Sequence, residues 1–372
     1  MKYNNIFHIT SVHSAFDVRI FHKECKTLSE NGYDVTIIAQ HDKDETIERI
    51  KIIALPKVKN RLERFLILNV IAFWKVLKQR ADVYHLHDPE LIFLGFILRL
   101  LGGKVVYDVH EDVPRQIFSK YWIPKIFRSI VSRLIELTEY FSAQVFNGIV
   151  CATPQIARRF PSTKTVLIQN FPMKDELSTE KGYPYELRPP LVGYIGGISG
   201  IRGIFEIIKA IDLIPDEFNI RLVLAGIFDP PEIENEVRLL QGWKKVEFLG
   251  WISRRIVKEI LEKIRLGLVL FHPVPNHINS WPNKLFEYIS AGIPVVASNF
   301  PLWIEIIKEN DCGICVDPRS PDEIATAIEY LVTHPEEAKR KGENGRKAVL
   351  EKYNWENEAK KLINFYKMIL EV

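Results

Sequence analysis

The chain has 372 residues, is 47% hydrophobic and 26% charged, and carries a net charge of +3. That length suggests two ordinary domains, and that balance excludes a disordered tail and gives no basic excess that would point to nucleic acid. Four cysteines are too few for a disulfide scaffold and fit a reducing compartment. The polar start at Met1–Asn5 is unlike a signal peptide, and no apolar run approaches the roughly 20 residues that span a bilayer, so a cytoplasmic protein is expected.

Short apolar runs alternate with longer helical patterns, which predicts an α/β chain built on parallel sheets. In the first half, strands are expected at Asn5–Thr10, Asp34–Ala39, Ile50–Leu55, Asp82–His87, Lys104–His110, Gly148–Ala152 and Thr165–Gln169. Ligands of such sheets bind beyond the carboxyl ends of the strands, so polar residues just after each strand are the functional candidates. Asp17 and Arg19 lie in the loop S-V-H-S-A-F-D-V-R after the first strand, ahead of a helix running to Glu30. Read locally, Asp17 caps that helix and pairs with Arg19 at the surface. Between Lys57 and Arg80, basic residues bracket an apolar helix with Phe73 and Trp74. Tyr121 to Tyr140 repeats the theme with Trp122, Lys125, Phe127, Arg128 and Arg133. Such helices either pack on a core with solvated basic ends or lie on anionic lipid. His85-Leu86-His87-Asp88 places two histidines on one strand face, which invites a metal; strand histidines more often pack or line a cleft, and no metal is expected. His87 and Asp88 end one strand, and His110 ends the strand that begins at Lys104.

Asn170 to Pro190 holds charges, glycine and proline turns and Arg188-Pro189-Pro190, the pattern of a linker. The expected domains are therefore 1–172, a linker 173–189, and 190–353. A final helix at 354–372 carries Trp355, Ala359, Leu362, Ile363, Tyr366, Ile369 and Leu370 at helical spacing. Strands of the second half are expected at Leu191–Gly196, Ile220–Ala225, Val246–Leu249, Leu266–Phe271, Ile293–Ala297 and Gly313–Val316. The loop from Gly196 to Gly203 lets backbone approach a ligand, and Arg202 sets a permanent cation at the start of the next helix, suited to a diphosphate. The loop does not match G-x-G-x-x-G, which disfavours a dinucleotide fold. Trp251 follows Gly250 after a strand and either flanks a base or fills a domain edge. Trp281-Pro282-Asn283-Lys284-Leu285-Phe286-Glu287-Tyr288 reads as a loop entering a helix. The N–H groups at that helix start favour an anion, and Glu287 could accept from ribose hydroxyls, a pairing that suits a sugar nucleotide. Cys312-Gly313-Ile314-Cys315 has no second pair at ligand spacing and reads as a turn and a buried strand.

The stretch from Trp281 to Ala297 resembles the donor-binding signature of glycosyltransferase family 4, in its P-N-K-L-F-E-Y branch, and the resemblance extends over nearly the whole chain. It implies the GT-B fold, two doubly wound Rossmann-like domains facing each other across a cleft, with the last helix packed back onto the N-terminal domain. It implies transfer of a sugar with retention from a nucleotide sugar, expected to be a UDP-sugar, with no metal or other cofactor. By this resemblance Gly197, Arg202, Trp251, Pro282, Asn283, Lys284, Leu285 and Glu287 hold the donor. Arg202 and Lys284 would stabilise the leaving diphosphate, and His110 would orient the donor sugar. Asp17, Arg19, His87 and Asp88 fall on the acceptor side, Asp17 for a hydroxyl and Arg19 for a phosphate. Two positions depart from the family pattern. Gly197 stands where many members carry arginine, and Asn279 stands at the first of two paired glutamates, where an amide still bonds a sugar hydroxyl but carries no charge. The implied acceptor is a saccharide or lipid-linked saccharide of surface polysaccharide or glycolipid assembly, met at the inner membrane face if the basic helices touch lipid. A sugar-nucleotide epimerase on the same architecture, and a non-catalytic nucleotide-sugar-binding partner of another transferase, are the alternatives.

Overall fold

The computed structural model describes residues 4–58, 60, 63–120, 122–174, 176–177 and 184–371. The chain forms two compact units, Met1–Asn170 with Trp355–Val372, and Phe171–Asn354. Within the expected basic helices, positions 59, 61 and 62 and Tyr121 lie outside the described residues.

The first unit is built on β1 (Asn5–Ser14), β2 (Asp34–Gln40), β3 (Glu45–Ile47), β4 (Ile50–Leu55), β5 (Val83–Leu86), β6 (Lys104–Val109), β7 (Gly148–Cys151) and β8 (Thr165–Leu167). Their order in the sheet is β3-β4-β2-β1-β5-β6-β7-β8, parallel throughout except for the antiparallel edge pair β3–β4. One face is apolar. Phe7, Ile9, Leu86, Tyr107 and Ile149 pack there with residues of α1 (Ile92–Leu100) and α2 (Lys125–Val145). Strand alternation sends His8, His85, His87 and Asp108 to the opposite face. That face is covered by a π-helical segment, Val18–Cys25, and by the last helix of the chain.

The second unit contains β9 (Leu191–Ile195), β10 (Arg221–Ala225), β11 (Val246–Gly250), β12 (Leu266–Val269), β13 (Val295–Ser298) and β14 (Gly313–Val316), all parallel in the order β11-β10-β9-β12-β13-β14. Its strands are near-continuous apolar runs because both faces are buried. Two of its helices matter for function, α3 (Ile204–Leu213) after β9 and α4 (Asn283–Ser290) before β13. In the first unit, α5 (Trp355–Glu371) buries Trp355, Leu362, Phe365, Tyr366 and Ile369. A Cβ on Gly148 would fall on the Phe365 ring, so that glycine admits the helix.

The stretch 173–189 is not an open linker in its described part. Leu177, Tyr185 and Arg188 are buried, and the Arg188 guanidinium donates to the Ile264 carbonyl at 3.1 Å. Phe171 likewise packs within the second unit, 4.8 Å from Phe286 between ring centroids. Charge and turn residues signalled a surface segment, but three well-spaced apolar or cationic anchors fix it to that unit. Residues 175 and 178–183 of this stretch lie outside the described residues.

In each sheet the chain winds outward on one side and then restarts on the other. The restart falls between β1 and β5 in the first unit and between β9 and β12 in the second. Such switch points leave a crevice at the carboxyl ends of the strands, which is where the candidate residues after β1, β5, β9 and β12 belong.

Candidate active site

In the second unit the loop after β9 turns on glycines. Gly196 has φ +126° and Gly203 has φ +73°, and a Cβ at Gly203 would strike the Leu270 carbonyl at the end of β12. This brings Arg202 back over the loop, where its Nη1 donates to the Gly197 carbonyl at 3.2 Å. A Cβ at Gly197 would fall on that same Nη1, so a side chain at 197 and Arg202 in this position exclude each other.

Lys284, in the first turn of α4, points at the same loop. Its side chain is buried, its Nζ lies 3.6 Å from the Tyr194 ring centroid, and it has no hydrogen-bond partner among the described residues. Burial, reinforced by the Arg202 charge and offset in part by Glu287, pushes the Lys284 ammonium well below the usual lysine range. Arg202 and Lys284 both lie over the Phe271 ring, 5.5 and 5.3 Å from its centroid, with no ion-pair partner among the described residues, and a buried polar head left unpaired is costly. An anion placed there would relieve both.

Three residues along α4, the Glu287 carboxylate accepts from Arg254 Nη1 at 2.7 Å, and Arg254 Nε donates to Glu176 at 2.7 Å. Glu287 is therefore held in one orientation, with about a quarter of its side chain open to solvent. Nothing in the sequence singles out Arg254, which is one cation in a charged helix. Trp251 is 73% exposed beyond Gly250, so it fills no edge of the core. Pro282 caps α4, while Asn283 and Asn279 are exposed. Leu285 does not line the site: it is fully buried in the apolar core, and its N–H is spent on the Pro282 carbonyl at 3.0 Å.

In the first unit, Asp17 Oδ1 accepts from the backbone N–H groups of Arg19 and Ile20 at 2.8 and 3.0 Å, and its Oδ2 lies 3.5 Å from His13 Nδ1. Burial alone would raise the Asp17 carboxyl, but the His13 and backbone hydrogen bonds hold it well below the usual range. His13 is the hub. Burial opposes its charge, yet Asp17, Asp88 and Glu111 outweigh that and raise its pKa. Its Nε2 lies 3.0 Å from His110 Nε2 and 3.6 Å from Asp88. His110 is itself backed by Asp108 at 3.6 Å. His13 was legible in principle, four residues before Asp17 in the same loop.

Three acceptor-side expectations are corrected. Arg19 cannot bind an acceptor phosphate: it is 4% exposed and grips Asp108 with Nε and Nη2 at 2.9 and 3.0 Å, while Nη1 donates to the Ile168 carbonyl. His87 is 1% exposed and sits between Asp108 and His8, closed off from an acceptor. Asp88 is 2% exposed, and its Oδ2 holds the loop by accepting from Thr10, from Ser11 and from the Val12 N–H. Asp108 supplied the missed signal: a carboxylate inside the apolar run K-V-V-Y-D-V must have a buried partner. Burial would raise that carboxyl, and Arg19 together with His110 and His87 holds it well below its ordinary value.

Residues 178–348 match the family model of Glycosyl transferases group 1, and residues 18–170 match that of Glycosyltransferase Family 4. The chain is 26% identical over 311 residues to the uncharacterized glycosyltransferase MJ1607 of Methanocaldococcus jannaschii, covering 79% of this chain and 77% of that protein. It is 20% identical over 369 residues to the capsular polysaccharide biosynthesis glycosyltransferase CapM of Staphylococcus aureus, covering 95% and 94%. Anabaena HepE, solved in complex with UDP-glucose, shares the fold with a TM-score of 0.73 at 12% identity, over 98% of this chain and 99% of that one. The fold and these matches define a glycosyltransferase of the GT-B class. Within that class the protein joins a first half of the family 4 type to a second half of the group 1 type.

Proposed function

We propose that this glycosyltransferase takes a sugar from a UDP-sugar and passes it, with retention, to a saccharide or lipid-linked saccharide during surface polysaccharide or glycolipid assembly. The observation that carries this reading is the buried, unpartnered Lys284 beside Arg202. A diphosphate gains negative charge as it leaves, and preplaced cations in a dry site stabilise that charge most where it develops. Glu287, fixed by Arg254, would accept from ribose hydroxyls, and the exposed Trp251 would flank the base. Asn279 would bond a sugar hydroxyl. On the first unit, His110 would orient the donor sugar, and Asp17 with His13 would receive the acceptor hydroxyl. Retention needs no enzymatic nucleophile, since the departing phosphate can take the acceptor proton. HepE is complexed with UDP-glucose and CapM serves capsular polysaccharide biosynthesis, which supports the donor class and the setting.

We place the acceptor at a membrane surface. Along α2, Ile126, Ile130, Leu134, Leu137, Phe141 and Val145 form one exposed apolar stripe, joined by Phe93 and Ile97 of the neighbouring α1. Arg133 stands beside it, a cation next to an apolar face as in helices that lie on anionic lipid, whereas Arg128 is spent on the Ile123 and Phe118 carbonyls. No helix among the described residues is long and apolar enough to cross a membrane.

The test is calorimetric binding of UDP, GDP and ADP to the wild type and Glu287→Ala. Selective UDP binding, weakened about tenfold or more in the variant as loss of a charged hydrogen-bond acceptor requires, supports the donor site. UDP-sugars are then screened with lipid acceptors. Turnover of a nucleotide sugar without acceptor would instead indicate an epimerase. Absence of nucleotide binding by the folded wild type would rule out transfer from a nucleotide sugar.

A further inference from the structure

We propose that His8, Glu24, His85 and His87 form a closed, buried site for one divalent transition-metal ion of the zinc class, with a structural role. The strand register creates it: His8 on β1 pairs with His85 on β5, and His87 follows two residues later on the same face. The rings stack with centroids 4.6 to 5.1 Å apart. Glu24 descends onto them from the segment Val18–Cys25. One ligand atom from each of the four lies within 4.8 Å of all the others, and none of the four is more than 1% exposed.

Two further observations point to a ligand. Glu24 Oε2 and His85 Nε2 are buried without any hydrogen-bond partner among the described residues, while Glu24 Oε1 lies 3.0 Å from Arg19 Nε. A proton on Glu24 would remove the charge but leave His85 Nε2 unsatisfied. A metal ion satisfies Glu24 Oε2 and His85 Nε2 together and leaves Glu24 Oε1 to Arg19. The outer partners are also in place. His87 Nδ1 lies 3.2 Å from Asp108, and His85 Nδ1 lies 2.6 Å from the Tyr366 hydroxyl, which is 3.5 Å from His8 Nε2. Each imidazole can thus give its outer N–H to an acceptor and leave His87 Nε2, His85 Nε2 and His8 Nδ1 for the ion, as metal-binding histidines do.

Two of the ligand separations lie near those of a tetrahedron. Bonds of about 2.0–2.1 Å set ligand atoms about 3.3 Å apart. His8 Nδ1 is 2.9 Å from His87 Nε2 and 3.9 Å from Glu24 Oε2, and all four ligand atoms lie within 4.8 Å of one another, so closure draws the side chains inward. Glu24 and Asp108 share the single guanidinium of Arg19. Three nitrogens and one oxygen select zinc-like ions over calcium or magnesium. A second cluster, His87, Asp108 and His110, is a poorer candidate because Arg19 already occupies both oxygens of Asp108.

The full chain should be produced with its affinity tag removed and assayed for metal by mass spectrometry. Refolding from chelator with Co²⁺ follows, read by visible absorption. The expected result is about one equivalent of zinc-class metal and tetrahedral cobalt bands without a thiolate charge-transfer band. Glu24→Gln and His85→Gln should each lower metal content by about fivefold or more, while UDP affinity of the second unit stays unchanged. Folded wild type that takes up less than about a tenth of an equivalent would overturn the site, and so would a thiolate signature from the neighbouring Cys25 or full retention in His85→Gln. If the variants fail to fold, the wild-type cobalt spectrum decides alone.

Discussion

Lys284 shows how a functional side chain can oppose stability. Its ammonium is pushed below the ordinary lysine value, first by burial and then by Arg202. The unfolded chain therefore holds the proton more readily than the folded one. The resulting penalty is fully present below the folded pKa and is relieved as pH rises toward the ordinary value. Lys284→Met keeps the apolar stem and removes the charge. At neutral pH it should raise the melting temperature of the second unit by about 2–4 °C, the response of a unit this size to 1 kcal/mol. The same change should weaken UDP binding by about thirtyfold or more, the cost of truncating one partner of a buried charged pair. Wild-type binding should take up protons, so calorimetric enthalpies in buffers of different ionisation heat should diverge, and affinity should fall as pH rises. His13 carries the opposite sign. Its pKa is raised, so its contribution is present below the ordinary histidine value and is lost as pH rises through the folded one. His13→Gln should therefore lower the melting temperature of the first unit more at pH 6 than at pH 9.

Among the elements, one glycine tests the packing of the returning helix. A Cβ at Gly148 on β7 meets the Phe365 ring and Ile369 of α5. Gly148→Ala should cost about 1–3 kcal/mol by overpacking, and Phe365→Leu should recover part of that loss in the double variant, measured by denaturant unfolding. The strands themselves were legible in the sequence because parallel strands buried on both faces are unbroken apolar runs. β3 was not: Glu45-Thr46-Ile47 is three residues long and exists only because β4 offers it an edge. The segment 173–189 read as a linker because its anchors, Leu177, Tyr185 and Arg188, are spread among charges and turns. The donor half of the site was legible because Gly197, Arg202, Lys284 and Glu287 occupy two short motifs. The acceptor half was less so. Arg19 and Asp108 lie 89 residues apart, and only the register of β1, β5 and β6 shows that they consume each other. The same register adds His8 and Glu24 to His85 and His87, turning a two-histidine strand motif that argued weakly for a metal into a four-ligand cluster.

At the scale of the whole molecule, the chain passes between units twice, at residue 171 and again at residue 355. The segment from Trp355 therefore belongs to the fold of the first unit although it follows the whole of the second in the chain. Trp355, Leu362, Phe365, Tyr366 and Ile369 are each no more than 4% exposed there. Trp355 Nε1 donates to Thr27 at 2.9 Å, and Gln169 N–H donates to Glu358 at 2.9 Å. Burying five such side chains is worth about 8–15 kcal/mol, comparable with the whole stability of a domain. A chain ending at Asn354 should lose the first unit and keep the second, whose core contains no residue of α5. Limited proteolysis should then leave a protected fragment close to residues 171–354 that still binds UDP but transfers no sugar. Equal protease resistance of the truncated and full-length chains would show that the first unit does not need its returning helix. Loss of UDP binding in the truncated chain would show that the two units do not fold independently.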